Sequence, residues 1–370
     1  MSDARAADDR RNSARADTSR AASARPEELF AALDLGTNNC RLLVAARTRN
    51  GFRVVDAFSR IVRLGEGLSH TGRLQPAAMD RAIAALKICA DRIRRRGSPK
   101  TRAIATQACR SAENGAEFLE RVAQETGLVL RIIPPREEAR LSVAGCANLL
   151  DRKAEAALVL DVGGGSTELS WVDLAGAGEP RPGVLPPIRA WLSVPIGVVT
   201  LAERFPEVRP GDAAWFRAMV EAVKAPIAAF AHADSLKPVF ADGRGHLVGT
   251  SGAITSLAGI HLELPRYDRA RVDGLWLTHD QCAATAQRLL EMTPENRAAQ
   301  PCIGRDRADL VLAGAAILQA VQELWPCPRV RVADRGLREG LLLSLMAEGS
   351  RRRGGRRRRG RTPPRARAAA

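Results

Sequence analysis

Leu158-Val159-Leu160-Asp161-Val162-Gly163-Gly164-Gly165-Ser166-Thr167-Glu168-Leu169 reads as a buried strand ending in a carboxylate, a turn of three glycines backed by two hydroxyls, and a second apolar run that continues to Val172. Glycine reaches left-handed backbone conformations and lets bare N–H groups approach a ligand. A nest of such donors suits an anion, above all phosphate. Alone, the turn is equally well read as a tight hairpin. A near-copy upstream changes the balance: Phe30-Ala31-Ala32-Leu33-Asp34-Leu35-Gly36-Thr37-Asn38-Asn39, followed by Arg41-Leu42-Leu43-Val44-Ala45. Both copies put an Asp at the end of the first strand and a hydroxyl just after glycine, and a plain hairpin has no need of that acid. The repetition predicts two related lobes, each offering a phosphate-binding turn to a shared cleft. Neither copy is a Walker loop, because no Gly-Lys-Ser/Thr follows, and neither is a dinucleotide fingerprint, because a strand rather than a helix comes next.

Outward from these hairpins, strands and helices alternate, which predicts an α/β fold. Strands are expected over 51–59, 101–106 and 128–133, with helices over 76–95, 113–126 and 136–150. Pro134-Pro135 breaks the chain before the last of these, and Glu137 and Glu138 suit its N-terminus. The plan then repeats: strands over 157–161, 167–173 and 188–193, a helix over 213–231, a strand near 246–250, a helix over 307–324, a strand over 330–333 and a last helix to about Ala347. Gly249-Thr250-Ser251-Gly252 joins a strand to a helix start, a third place for phosphate on unpaired N–H groups. The expected division is a disordered tail over 1–28, a first lobe over 29–150, a second over 151–347 whose last helix can pack back on the first, and a disordered arginine-rich tail over 348–370.

Composition narrows the function classes. A chain of 370 residues with 45% hydrophobic content is long enough for two domains with proper cores. No apolar run approaches the ~20 residues that a membrane helix needs, and no secretory leader precedes the first lobe. The seven cysteines are scattered, without Cys-x-x-Cys or a Cys/His cluster, so neither zinc nor a disulfide framework is expected, and a reducing cytoplasm is the simplest setting. Ten arginines after Ser350 carry ten of the net +16 charges; residues 1–28 balance, leaving +6 on the rest. The folded part is thus mildly basic, as a polyanion binder would be, and the tail could contact nucleic acid, polyphosphate or anionic lipid, or serve only as a solvated end. Aromatics at 4%, with a single tyrosine, argue against base-stacking platforms.

Five motifs in combination carry a resemblance: Asp34-Leu35-Gly36-Thr37-Asn38, Ala105-Thr106-Gln107-Ala108-Cys109-Arg110, Glu137-Glu138-Ala139-Arg140, Asp161 to Glu168, and Gly249 to Gly252, with a closing Gly336-Leu337-Arg338-Glu339-Gly340. The chain resembles the exopolyphosphatase/guanosine-pentaphosphate phosphohydrolase (Ppx/GppA) family over roughly residues 29–346. It looks like the short form, without the C-terminal HD-type helical domain. Asp334-Arg335-Gly336 departs from the Asp-Gly-Gly or Asp-Gly-Ala common in that family and puts an arginine on a cleft loop.

The resemblance implies two ribonuclease-H-like lobes of the actin-like ATPase superfamily and hydrolysis of a terminal phosphoanhydride bond. Glu138 is the implied general base, with Glu137 as helper or substitute and Arg110 as a phosphate contact. The turns would bind phosphate through Gly36, Thr37 and Asn38, through Gly163, Gly164, Gly165, Ser166 and Thr167, and through Ser251 and Gly252. Asp161 and Asp34, with Glu168, would hold Mg²⁺ or Mn²⁺, hard cations suited to oxygen ligands. A capped turn is the plain alternative for each Asp, outweighed because both precede glycine in matched hairpins, whereas helix-end charge would explain the glutamates without the resemblance. The expected substrate is inorganic polyphosphate, with guanosine pentaphosphate second; a homodimer is implied by the family alone. Two rival readings are an ATP-dependent kinase or ATPase on the same fold, and a non-catalytic polyphosphate or alarmone sensor.

Overall fold

The computed structural model describes residues 27–49, 51–175 and 185–359, with side chains of the last helix described to Glu348. The tail expected over 1–28 therefore lies outside the described residues except for its last two, and so does 360–370 of the arginine-rich tail.

Each half of the chain builds one sheet around its Asp-Gly hairpin. The first holds β1 (Leu29–Leu35), β2 (Asn39–Thr48), β3 (Gly51–Ile61), β4 (Lys100–Ala105) and β5 (Leu130–Ile132) in the order β3-β2-β1-β4-β5. The hairpin strands are antiparallel, while β4 and β5 join parallel. The second holds β6 (Ala156–Val162), β7 (Thr167–Asp173), β8 (Ile188–Val194), β9 (Gly245–Thr250), β10 (Trp276–Thr278) and β11 (Arg329–Ala333) in the order β10-β11-β9-β6-β7-β8. Read from β8, five of these strands repeat the order and directions of the first sheet, and β10 is an added antiparallel edge. The molecule is thus a pair of ribonuclease-H-like lobes.

Helices cover both sheets. In the first lobe these are α1 (Pro76–Arg95), α2 (Gln107–Ser111), α3 (Gly115–Thr126) and α4 (Pro135–Cys146). In the second they are α5 (Val198–Arg204), α6 (Ala213–Ala228), α7 (Gly252–His261), α8 (His279–Glu291) and α9 (Val311–Leu324), while the last helix, α10 (Leu337–Arg359), returns to the first sheet. Phe30 to Leu35 are buried on alternating faces, because helices lie on both sides of β1. One face packs on α1 and α3 through Ile83, Leu86, Phe118 and Val122. The other packs on Leu141 of α4 and on Leu341, Leu342 and Met346 of α10. The next turn of α4 supplies Val143 and Cys146 to a core with Val159 and Val248 of the second sheet. One helix therefore belongs to both lobes.

Boundaries differ where tertiary packing decides. α9 starts at Val311 rather than 307, after a short 3₁₀ turn at Arg305–Arg307. α10 passes the expected end at Ala347 and runs to Arg359, so part of the arginine tail continues a helix. β10 and α8 lie in a stretch with no expected elements. No helix among the described residues is long and apolar enough to cross a membrane, and all seven cysteines are buried and free.

Candidate active site

The C-terminal ends of β1, β4, β6, β9 and β11 point into one cleft between the lobes, the place where open α/β sheets bind ligands. Its volume is about 620 Å³. The two hairpin turns meet across it almost at backbone contact. A Cβ placed on Gly164 would lie 3.0 Å from Asn38 N and from the Asn38 and Thr37 Cβ atoms, and one on Gly165 would lie 2.7 Å from Thr37 Oγ1. None of Gly36, Gly163, Gly164 and Gly165 is in the left-handed region. Their contribution is close approach, not the positive φ expected from the sequence. The strained residue is Ser251, at φ 100° before the N-terminus of α7. Such an outlier at a helix start is where functional strain concentrates.

Register places the acids. Asp34 pairs with Arg41 across the first hairpin, and Asp161 with Glu168 across the second. Cross-strand partners share one face of a sheet, so each hairpin presents two charged side chains to the cleft. Glu138 arrives from α4, which Pro135 opens at a position where a missing N–H costs nothing. Glu138 is 7% exposed and accepts a bond from Arg110 Nη1 at 3.2 Å. Ser142, one turn along the same helix face, donates to Asp161 of the other lobe. Ser193 Oγ donates to Glu168 Oε1 at 2.8 Å.

Crowding of buried acids raises their pKa values. Burial lifts Asp34 to about 6, against the pull of Arg41 and with the push of Asp161. Burial and then Asp161 lift Glu168 to about 7. Burial and the charge of Glu168 push Glu138 well above the ordinary range, partly offset by Arg110. Asp161 is raised by burial and eased by the Ser142 hydroxyl.

This donor set fits a hard divalent cation. Asp34 Oδ1, Asn38 Oδ1, Asn39 Oδ1 and Ser251 Oγ are buried in the cleft without a protein partner, the situation that an ion or ordered water relieves. No group of three His, Cys, Asp or Glu among the described residues is spaced to enclose a metal. A cation here would therefore rest on one or two carboxylates and on water, a coordination open to Mg²⁺.

The cleft gathers Asp34, Gly36, Thr37, Asn38, Glu138, Asp161, Gly163 to Ser166, Glu168, Ser251 and Gly252. Three expected residues are turned elsewhere. Glu137 pairs with Arg131 at 2.5 and 2.9 Å on the outer face, because neighbouring helix residues point about 100° apart. Thr167 alternates with inward Glu168 and gives its hydroxyl to Ile196 O at 2.7 Å. Arg110 lies behind Glu138, held by Ile133 O at 2.7 Å and Gln107 Oε1 at 2.5 Å.

Other residues join that sequence reading passed over. Arg41, Arg305, Arg307 and Tyr267 line the cleft. Arg41 and Arg307 approach the same turn, each 3.9 Å from where a Cβ on Gly252 would be. Burial, followed by the charge of Arg41, lowers the pKa of Arg307. Two guanidiniums converging on a helix N-terminus suit an anion. Arg41 was legible in principle, as the residue opposite Asp34 in a symmetric hairpin. Arg335 lines the cleft but is forked onto Asp273, its Nε 3.0 Å from Oδ2, so its charge is compensated within the second lobe.

The family model described as the Ppx/GppA phosphatase family matches residues 43–348. Exopolyphosphatase 2 of Mycobacterium tuberculosis is 29% identical over 331 residues, 85% of this chain and 98% of the relative. A crystal structure of the Aquifex aeolicus Ppx/GppA family member superposes with a TM-score of 0.69 at 30% identity, covering 88% of this chain and 99% of that one. An exopolyphosphatase structure from Cytophaga hutchinsonii shares the fold, at a TM-score of 0.74 and 22% identity over 87% of this chain and 98% of that one.

Proposed function

The chain belongs to the Ppx/GppA phosphatase family, and from that premise we propose that it releases terminal phosphate from inorganic polyphosphate, with guanosine pentaphosphate as a second substrate, by attack of water activated by Glu138. The observation that carries this reading is the position of Glu138: a buried carboxylate held by Arg110, facing two phosphate turns that almost touch.

In this reading the N–H groups of the turns and the guanidiniums of Arg41 and Arg307 take the phosphate oxygens, where charge must be neutralised during phosphoryl transfer. Asp34 and Asp161, with Glu168 behind them, would hold Mg²⁺ or Mn²⁺, which when bound supplies charge neutralisation at those oxygens. Glu138 accepts a proton from the attacking water. The new bond joins water oxygen to the terminal phosphorus, the anhydride bond breaks, and its oxygen leaves on the shortened chain. A raised pKa makes Glu138 a stronger base once ionised, and Arg110 partly offsets the rise that burial and Glu168 impose.

Phosphate release from long-chain polyphosphate, guanosine pentaphosphate and ATP, assayed side by side with Mg²⁺, tests the proposal. Polyphosphate is expected to be turned over fastest. Glu138→Gln is expected to lower kcat by about 10²- to 10⁴-fold with KM little changed. No release from either polyphosphate or guanosine pentaphosphate would sink the hydrolase reading, and full activity in Glu138→Gln would sink the choice of base.

A further inference from the structure

We propose that the segment Val62–Gly67 is a strap that runs from the first phosphate turn to the second lobe, and that Arg63 and Glu203 are positioning residues that hold the phosphate-binding segments of the two lobes in register. The proposal builds on the phosphate-turn reading above. The strap is tied first to its own lobe. Val62 N and Arg63 N donate to Asn38 O at 2.8 and 3.1 Å, and Gly65 N donates to Thr37 O at 2.9 Å. Whatever moves the strap moves the first phosphate turn.

The same few residues reach the second lobe at two points. Arg63 grips both oxygens of Asp309 at 2.8 Å and the carbonyl of Asp306 at 3.1 Å. Asp306 sits between Arg305 and Arg307, the arginines that line the cleft. Glu203 accepts from Gly67 N at 2.8 Å and from Ser69 Oγ at 2.5 Å. Glu203 lies on α5, whose first amides, Val198 N and Val199 N, bond to Gly163 O at 3.0 Å and Gly164 O at 2.8 Å. One strap therefore links the first turn, the second turn through α5, and the arginine loop.

Two further features mark this join as openable. Arg63 holds φ at 45°, a conformation that a non-glycine residue keeps only when its surroundings impose it. Behind the strap is a second cavity of about 240 Å³, bordered by Arg63, Glu203 and Asp309 and by Phe205, Trp215 and Leu310, so the strap lies over a void and not on filled packing. The Arg63 and Asp309 side chains are 30% and 52% exposed. An ion pair that exposed shifts an equilibrium by about fivefold at most, enough to bias closure without locking it.

Spin labels at exposed positions Lys87 and Gln287 report the separation of the lobes by pulsed electron paramagnetic resonance, with and without inorganic tripolyphosphate. The expected result for Arg63→Ala is a distance distribution broadened toward longer separations. The same variant should show a KM for polyphosphate raised about two- to fivefold and kcat within about twofold. The charge swap Arg63→Asp with Asp309→Arg should restore both readouts, and high salt should reproduce the Arg63→Ala distribution in the unaltered chain. Unchanged distances and KM in Arg63→Ala, or no recovery in the swap, overturn the strap. If the unaltered chain releases no phosphate, the reaction assignment fails, while the distance measurement still decides the strap.

Discussion

Arg110 illustrates how one side chain sets the chemistry of another. Its fork is spent on Ile133 O, Gln107 and Glu138, behind the cleft surface. Its partners are the acid and that acid's neighbours, so we propose that it works through Glu138, where its motif led us to expect a direct phosphate contact. Arg110→Met removes a cation that lowers Glu138, so the carboxyl should titrate higher still. The expected outcome is an acid limb of the kcat–pH profile displaced upward, with kcat near neutral pH reduced about tenfold or more. A profile that stays in place, with KM raised instead, would return Arg110 to the substrate. At this scale, Asp34, Asp161 and the glycines were readable because the repeat is local. Glu137, Thr167 and Arg110 were not, because the motif fixes residue type while helix phase and strand face fix direction.

Among the elements, α4 carries the most varied duty. Its first turn presents Glu138, its second sends Ser142 to Asp161, and its apolar residues enter the cores of both sheets. It manages this because its neighbour α10 comes extremely close: a Cβ on Gly340 would lie 1.9 Å from Leu141 O, and one on Gly145 would lie 1.9 Å from Gly336 O. Backbone carbonyls cannot swing aside as side chains do, so Gly340→Ala must push the helices apart. The expected loss is about 1–3 kcal/mol, the usual cost of overpacking, visible as a lower Tm with a retained α/β circular dichroism spectrum. A Tm equal to that of the unaltered chain would show that the helices are not pressed together. Long periodic elements such as α1 and the paired hairpins were legible from pattern alone. The stretch that forms β10 and α8 was not. A three-residue strand carries no period, and the buried face of α8 rests on Cys282, Thr285 and Ala286 beside its two leucines, a weak apolar signal.

On the scale of the whole molecule, the cleft concentrates negative charge at the junction of two lobes. Asp34, ordinarily 3.8, is held at about 6, and Glu168, ordinarily 4.5, at about 7. Acids with raised folded-state values bind protons that the unfolded chain has released, so their contribution to stability is full at low pH and is lost as pH rises through 6 and 7. His246, lowered to about 4 by burial, works in the opposite direction up to its ordinary 6.5, and the acids outnumber it. Metal-free protein should accordingly melt lower at about pH 8 than at about pH 5, and Mg²⁺ should raise Tm more at the higher pH. Calorimetry at both values, with and without Mg²⁺, checks this; a metal-free Tm that climbs over that range would remove the acid cluster as the controlling term.

The C-terminal helix gives the chain a temporal order as well as a shape. The first lobe is completed by Leu341, Leu342 and Met346, which cover Phe30 and Leu43 from the far end of the sequence. A ribosome releases the first hairpin nearly three hundred residues before the helix that seals it. During synthesis the lobe made first is thus the lobe finished last, and its exposed apolar sheet face is the surface that a chaperone would meet on the nascent chain.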